Sequence, residues 1–492
     1  MPFLRTPDGK ITPITRSATD IINLIKKEKI EFIDLQFTDL PGRLQHVTLP
    51  ACQLDEDAFT EGVPKLDGSS IRGFVEIQES DMMLKPDPST FGIIPWSPEH
   101  LKTARLLCDV YWGFGQGRLS RDPRAIAQKA EEAVKAQGFD FSYLGPEVEF
   151  FVFDKVNLDV MMPSRGQGYR IESKEAAWTS FGEDGTSIPI RFGEGYFPVP
   201  PQDTLMDYRS ECTRTLEKSF HVICDAHHHE VATAGQCEID LYRDTLTCSG
   251  DSVMTYKYVI RNIASKMGMV ATTMPKPIYS DNGSGMHVHA SLWKDGKNMF
   301  YDPNDKHAEL SQLGRYFGGG LMEHSRSLAA IVAPTTNSYR RLVPGFEAPV
   351  YVAWSRRNRS ANVRVPVYQK GPKAAGQKRI EFRSPDPSSN PYLCLASILA
   401  AGIDGIKRKI DIGDPVDEDI YKLSPERRHQ LGIKELPGNL KEALECLESD
   451  HEYLKPIFSQ DVIEKIIENG MRESMEIALR PHPHEFYLYF DL

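Results

Sequence analysis

The chain has 492 residues, enough for about two to four domains of ordinary size. Hydrophobic residues at 40% and charged residues at 26% exclude a disordered chain, and no apolar run approaches the ~18 residues that a membrane helix needs. With 58 Lys and Arg against 69 Asp and Glu, the net charge is −11, which argues against nucleic-acid binding, since phosphate backbones require a basic face.

The first residues, Met1–Pro7, have no apolar core behind Arg5, so no signal peptide is expected and a cytoplasmic protein is. A first helix is expected over Ser17–Lys29, with Ala18, Ile21, Ile22 and Ile25 on one stripe. Ile33, Leu35 and Phe37 alternate with Asp34, Gln36 and Thr38, as a half-buried strand would, and a Pro41-Gly42 turn leads to a second strand near Leu44–Leu49. The Gly/Arg-rich stretch Gly113–Arg121 is the expected domain boundary. Beyond it Asp122 reads as an N-cap, with Pro123 at N1 and Gly138 after the end of the helix. Another helix is expected over Asp251–Met267, and Asp154–Pro201 and Gln369–Lys378 read as long loops. The eight cysteines are scattered without a C-x-x-C pair, which indicates neither a zinc knuckle nor a disulfide framework.

Chemistry enters through short β-type segments with ionisable residues two apart. Glu147 and Glu149 share a strand face with Cα atoms ~6.6 Å apart, as do His287, His289 and Ser291, and Arg379, Glu381 and Arg383. The segment His227–Ala232, containing Glu230, leads through a Gly turn to Gly235–Asp240, containing Glu238. Solvent faces of surface strands also alternate, but they usually mix Lys, Thr and Ser. Five glutamates with histidine are oxygen and imidazole donors suited to Mg²⁺ or Mn²⁺, and their spacing suits two ions better than one. A second cluster is cationic: Arg340, Arg341, Arg356, Arg357, Arg359, Arg364, Arg379 and Arg383. Arginine forks bind phosphate or carboxylate, and divalent ions with arginines are the equipment of phosphoryl transfer. No Walker A loop and no G-x-G-x-x-G is found; Gly371–Lys378 comes nearest, but Gln377 intervenes and no Ser or Thr follows the Lys.

From about Ile30 to the C-terminus the chain resembles glutamine synthetase of type I. The resemblance is carried by Leu66–Ile71, Gly145–Phe151, His228–Gln236, Asn282–His289, Arg341–Glu347, Asn358–Ala361 and Arg379–Arg383, in this order. It implies an α+β protein: an N-terminal helical segment over 1–29, a β-grasp domain over 30–117, and a catalytic domain over 122–492 whose curved antiparallel sheet is surrounded by helices. It implies ATP-dependent joining of ammonia to L-glutamate by way of γ-glutamyl phosphate, in a homo-oligomer of two stacked hexameric rings with active sites between subunits. By the same resemblance Glu149, Glu230 and Glu238 hold one Mg²⁺ or Mn²⁺, and Glu147, His287 and Glu381 the other. Asn282, Gly283, Arg341, Glu347, Arg359 and Arg383 match the glutamate site. Asp225, His289, Ser291, Arg359, Arg364 and Arg379 match the ATP site, while Asp67, Glu347 and Arg359 match catalytic positions, Asp67 binding ammonium across a subunit interface. Tyr421 aligns with a tyrosine that some relatives adenylylate, but Lys422, Ser424, Arg427 and Arg428 argue against that modification here. Two other readings compete: a γ-glutamyl ligase for a larger amine, and a non-catalytic assembly or regulatory paralogue.

Overall fold

The computed structural model describes the chain apart from residues 1, 2, 7, 76–79, 180–187, 306, 307, 357–359, 368, 417 and 419. The first helix is Ala18–Glu28, capped by Ser17, which accepts from the Asp20 amide while Asp20 accepts from the Ser17 amide. Ile21 and Ile25 pack into a core shared with Ile33, Leu35, Phe37, Leu106 and Val110. Over this core lies a six-stranded sheet in the order Leu44–Pro50, Phe32–Thr38, Thr103–Trp112, Asp81–Pro86, Val63–Asp67, with Gly92–Ile93 beside Thr103–Trp112. Phe32–Thr38 departs from the expected half-burial, because Asp34, Gln36 and Thr38 are buried as well. Gln36 donates to Asp34 at 2.8 Å and accepts from Arg105, whose other arm donates to Thr255 on a helix of the second unit. Both faces of this strand are therefore covered, one by apolar and one by hydrogen-bonded polar contacts.

The second unit is built on a ten-stranded sheet. Its main path runs Cys224–His229, Gln236–Leu241, Phe141–Phe153, Met286–Lys294, Ile380–Phe382, Ala361–Arg364, Tyr351–Ser355, Lys434–Glu435. Pairing is antiparallel except between Tyr351–Ser355 and Ala361–Arg364. Helices Pro123–Ala136, Leu246–Lys266 and Pro391–Arg408 share one core with the sheet through Ile126, Val134, Val253, Tyr256, Ile260, Leu395 and Leu399. Leu246–Lys266 begins five residues before the expected Asp251, and at Gly250 it approaches Tyr392 so closely that a Cβ would sit 2.4 Å from the ring. The segment read as a long loop after Asp154 opens with a hairpin, Lys155–Asp159 against Gly168–Glu172, and the 369–378 segment contains a 3₁₀ turn over Pro372–Gln377.

The period of two in the central strands positions the chemistry. Leu144, Val148, Phe150 and Val152 enter the main core, as do Met286, Val288, Ala290 and Leu292, Cys237 and Ile239, and Ile380 and Phe382. Glu147, Glu149, His287, His289, Glu238 and Glu381 are the intervening residues and turn to the opposite face. A one-residue slip of Phe141–Phe153 would exchange Val148 and Phe150 for carboxylates in the core. Burying each apolar side chain is worth ~1.5–3 kcal/mol, so hydrophobic packing fixes the register on which the polar face depends.

Candidate active site

Register brings the acidic residues into rows across the sheet. Glu149 pairs with Glu238, and Glu238 with His228. Glu147 pairs with His287 on its other side, while His289 pairs with Glu381 and Glu381 with Arg364. All of these but His289 line a cavity of about 320 Å³, and so do all six expected metal ligands: Glu147, Glu149, Glu230, Glu238, His287 and Glu381.

Donor atoms converge at two points. One is formed by His228, Glu230 and Glu238, the other by Glu147, His289 and Glu381, with the atoms of each group within 4.8 Å of one another. Both groupings share residues with the expected pairs of metal sites while bringing in His228 and His289. His228 was not singled out from the sequence, although its separation of two from Glu230 placed both on one strand face.

Hydrogen bonds distinguish the two histidines of the Met286–Lys294 strand. Arg379 Nε donates to His289 Nδ1 at 3.0 Å, which leaves the ring proton on Nε2, directed at Glu147 Oε1 at 2.7 Å. His287 Nδ1 stands 3.5 Å from Glu147 and 3.9 Å from Glu149. Burial, then the nearby Arg383, lower the His287 pKa to about 4, so its ring is neutral at pH 7, the form that binds metals.

Burial and neighbouring charges divide the carboxylates into two groups. Burial raises Glu149 to about 7, although its Oε2 accepts from the Gly285 amide at 3.0 Å and from Gln236 at 3.1 Å. Glu238 is pushed well above the usual range by burial and then by Glu149 and Glu230. Glu147 and Glu381 lie on the cationic side. Burial opposes their ionisation, but His289 and His287 outweigh it at Glu147, and Arg383 with the histidines holds Glu381 at about 2. Arg364 and Arg383 grip the two oxygens of Glu381 at 2.6 and 2.5 Å.

Asn282, Gly283, Arg341, Glu347, Arg364 and Arg383 also line the cavity. Gly283 fits only as glycine, because a Cβ there would lie 2.4 Å from the Pro275 carbonyl. Buried Arg341 donates to the carbonyls of Ser384 at 3.0 Å and Arg383 at 3.1 Å. Glu347 sits exposed on a loop with φ 59°, a left-handed conformation uncommon outside glycine. Asp281, which the sequence reading passed over, accepts from the amides of Asn282, Thr233 and Gly193 and so ties three segments behind the site.

Other expected residues lie outside the cavity lining. Ser291 is buried and accepts from the Trp293 indole at 3.0 Å, and Asp225 is exposed on the edge strand Cys224–His229. Arg379 is not in the lining but adjoins the site by donating to His289. Asp67 is exposed at the end of Val63–Asp67, where it caps a 3₁₀ turn through Ser69 and Ser70. Arg359 lies outside the described residues.

Family models match the two units in turn: "Glutamine synthetase, beta-Grasp domain" over residues 29–113, and "Glutamine synthetase, catalytic domain" over residues 120–489. The chain belongs to the glutamine synthetase family. Among curated relatives, a glutamine synthetase of Sulfolobus acidocaldarius is 55% identical over 97% of this chain and 99% of its own length. A glutamine synthetase of Frankia alni is 48% identical over 96% and 99%. A cryo-EM structure of Plasmodium falciparum glutamine synthetase superposes with a TM-score of 0.86 at 27% identity, covering 97% of this chain and 99% of that one. The α+β expectation holds, with a β-grasp unit preceding a sheet wrapped by helices, antiparallel but for one parallel pair. Among the described residues no helix is long and apolar enough to cross a membrane.

Proposed function

We propose that the 320 Å³ cavity is where ATP-dependent ligation of ammonia to L-glutamate, the activity of this family, takes place. One observation carries the assignment: a single cavity gathers six acid or imidazole donors at one end and Arg341, Arg364 and Arg383 beside them. The donor set fits divalent ions, because burial and neighbouring carboxylates disfavour the charged forms of Glu149 and Glu238, a cost that a divalent cation would offset. Glu149, Glu230 and Glu238 would hold one Mg²⁺ or Mn²⁺, and Glu147, His287 and Glu381 the other, with His228 and His289 adjoining. Bound there, the ions supply charge neutralisation for the phosphates of ATP.

The chain's own residues do the remaining work. Asn282, Gly283, Arg341 and Arg383 would orient glutamate so that its γ-carboxylate meets the phosphoryl group. Asp225, His289, Ser291, Arg364 and Arg379 would hold ATP, and Arg359 would stabilise the transferring phosphoryl group. A carboxylate resists attack by ammonia until it becomes an acyl phosphate. Ammonium is not nucleophilic until it loses a proton, and Asp67 would accept that proton. Ser69 and Ser70 hydrogen bonds lower the Asp67 pKa, which keeps the carboxylate charged for this task. Glu347, on its exposed loop, would close over the acyl phosphate and exclude water.

Since Asp67 does not line the cavity of its own chain, the reading includes a homo-oligomer, two stacked hexameric rings in which Asp67 serves a neighbour's site. It also takes residues 30–117 and 122–492 as the two functional domains, and the cytoplasm as the compartment. Phosphate release with glutamate, Mg·ATP and ammonium, repeated with other amines in place of ammonium, tests it. Turnover with ammonium alone supports the assignment; preference for a bulkier amine would replace it with the larger-amine ligase.

A further inference from the structure

A second cavity, of about 420 Å³, lies between the two units, away from the acidic site. The N-terminal unit contributes the turn Leu40–Arg43 and Arg72; the rest comes from helices and connecting segments of the catalytic unit. The turn is held rigidly. Asn390 donates to the carbonyls of Asp39 at 3.1 Å and Leu40 at 3.0 Å, and Asp39 accepts from the amides of Gly42 and Arg43. Gly42, at φ +99°, comes so close that a Cβ would stand 2.9 Å from the Asn390 backbone.

Besides Arg72, three cations line this space. Lys257 is 4% exposed, and its ammonium group donates to the Ser389 carbonyl at 2.9 Å. Arg261 donates to Thr273 at 3.0 Å, and Arg43 belongs to the rim turn. Among the described residues no carboxylate stands within ion-pair distance of any of the three, although Asp386 acts on Lys257 and Asp39 on Arg43 from further away. The acid of the lining, Glu473, is taken by Arg72 at 2.5 Å. The cations also oppose one another: partial desolvation and then Arg43 lower the Arg261 pKa, while burial and then Arg261 bring Lys257 to about 7. In a chain of net charge −11, a rigid cavity lined by three cations that lack a direct carboxylate partner is suited to an anion.

We infer that this inter-unit cavity binds a phosphate monoester, its dianion held by Lys257, Arg43 and Arg261 and its organic body lying against Ile331, Leu393, Leu444 and Ile466. A dianion balances two guanidiniums and one ammonium better than a single carboxylate does, and guanidinium forks match phosphate oxygens. The apolar wall favours an ester over free phosphate, because it gives a short carbon body a place to leave water. Occupation would tie the Leu40–Arg43 turn to the helix that carries Lys257 and Arg261.

The probes are inorganic phosphate and phenyl phosphate, titrated into the full-length protein with Mg²⁺, glutamate and a non-hydrolysable ATP analogue saturating the active site. One phosphate per chain should bind, with phenyl phosphate at least about tenfold tighter than inorganic phosphate. The double substitution Arg43→Ala/Arg261→Ala should abolish this class while leaving binding of the ATP analogue intact, which also reports an intact fold. Arg261→Lys should retain it. No phosphate class beyond the active site, or one that survives the double substitution, overturns the proposal. Equal affinity for the two probes would overturn the ester and leave an inorganic phosphate site.

Discussion

Glu147 lies opposite His287 in the strand register, yet its closest contact is His289, two residues further along, at 2.7 Å. One carboxylate thus spans two imidazoles on the same strand face. Arg379 holds the far side of His289 and fixes its proton toward Glu147. The neutral ring of His287 stands between Glu147 and Glu149, at 3.5 and 3.9 Å. The arrangement sets the two imidazoles apart: His289 directs its Nε2 proton at Glu147, while the neutral ring of His287 keeps a lone pair.

Glu381 is both an expected metal ligand and the counter-ion of Arg364 and Arg383. Glu381→Gln should therefore lower Mn²⁺ stoichiometry by one ion per chain in equilibrium dialysis. It should also destabilise the protein by ~3 kcal/mol in denaturant unfolding, because removing one partner of a buried ion pair leaves the other charges uncompensated. Glu147→Ala should cause the same loss of an ion. Near-normal turnover of either variant at physiological Mg²⁺ would refute the ligand assignment.

Asp67→Ala should raise the KM for ammonium and lower kcat, while the KM for glutamate moves little, because both cation binding and proton removal suffer. Steady-state kinetics with each substrate varied in turn decides it. Unchanged ammonium kinetics would leave Asp67 only as the cap of the Ser69–Ser70 turn.

Away from the site, His324 bridges Asp404 and Asp450, at 2.9 Å from each. Burial disfavours its charge, but the two aspartates outweigh burial and raise its pKa above 6.5. A raised histidine adds stability that is fully present below its unfolded pKa and is lost as pH rises through the folded value. Burial also opposes ionisation of Asp450, but His324 lowers its pKa below 3.8, so the aspartate's share is lost at the acid end. The Tm deficit of His324→Gln relative to the parent should thus be larger at pH ~5.5 than at pH ~8.5. An equal deficit at both would show that the pair contributes packing alone.

Tyr421 should remain unmodified in nitrogen-replete cells. Its ring is half-buried beside Tyr351, and its hydroxyl donates to the carbonyl of Ala348, next to Glu347, so a modifying enzyme would first have to break that bond. Tyr421→Phe keeps the ring packing, loses one hydrogen bond worth ~1 kcal/mol, and should leave activity and its nitrogen response unchanged. Intact-mass analysis showing one AMP per subunit, mapped to Tyr421, would refute this.

The sequence by itself determined the strands, the face each acid occupies and the family. A period of two is a local property, and Val148 between Glu147 and Glu149 already dictates which way each points. It could not determine which strands become neighbours, because pairing depends on contacts between distant segments. Only the tertiary structure set His228 beside Glu238, placed His289 rather than His287 closest to Glu147, and tied Asp281 to the amides of Gly193 and Thr233. The same holds for the second cavity. Arg43 and Arg261 are unremarkable at their places in the sequence, and they act together only because Asn390 pins the Leu40–Arg43 turn against the catalytic unit. Local alternation fixes the orientation of a side chain; long-range packing decides its partners, and partners decide charge, proton position and chemistry.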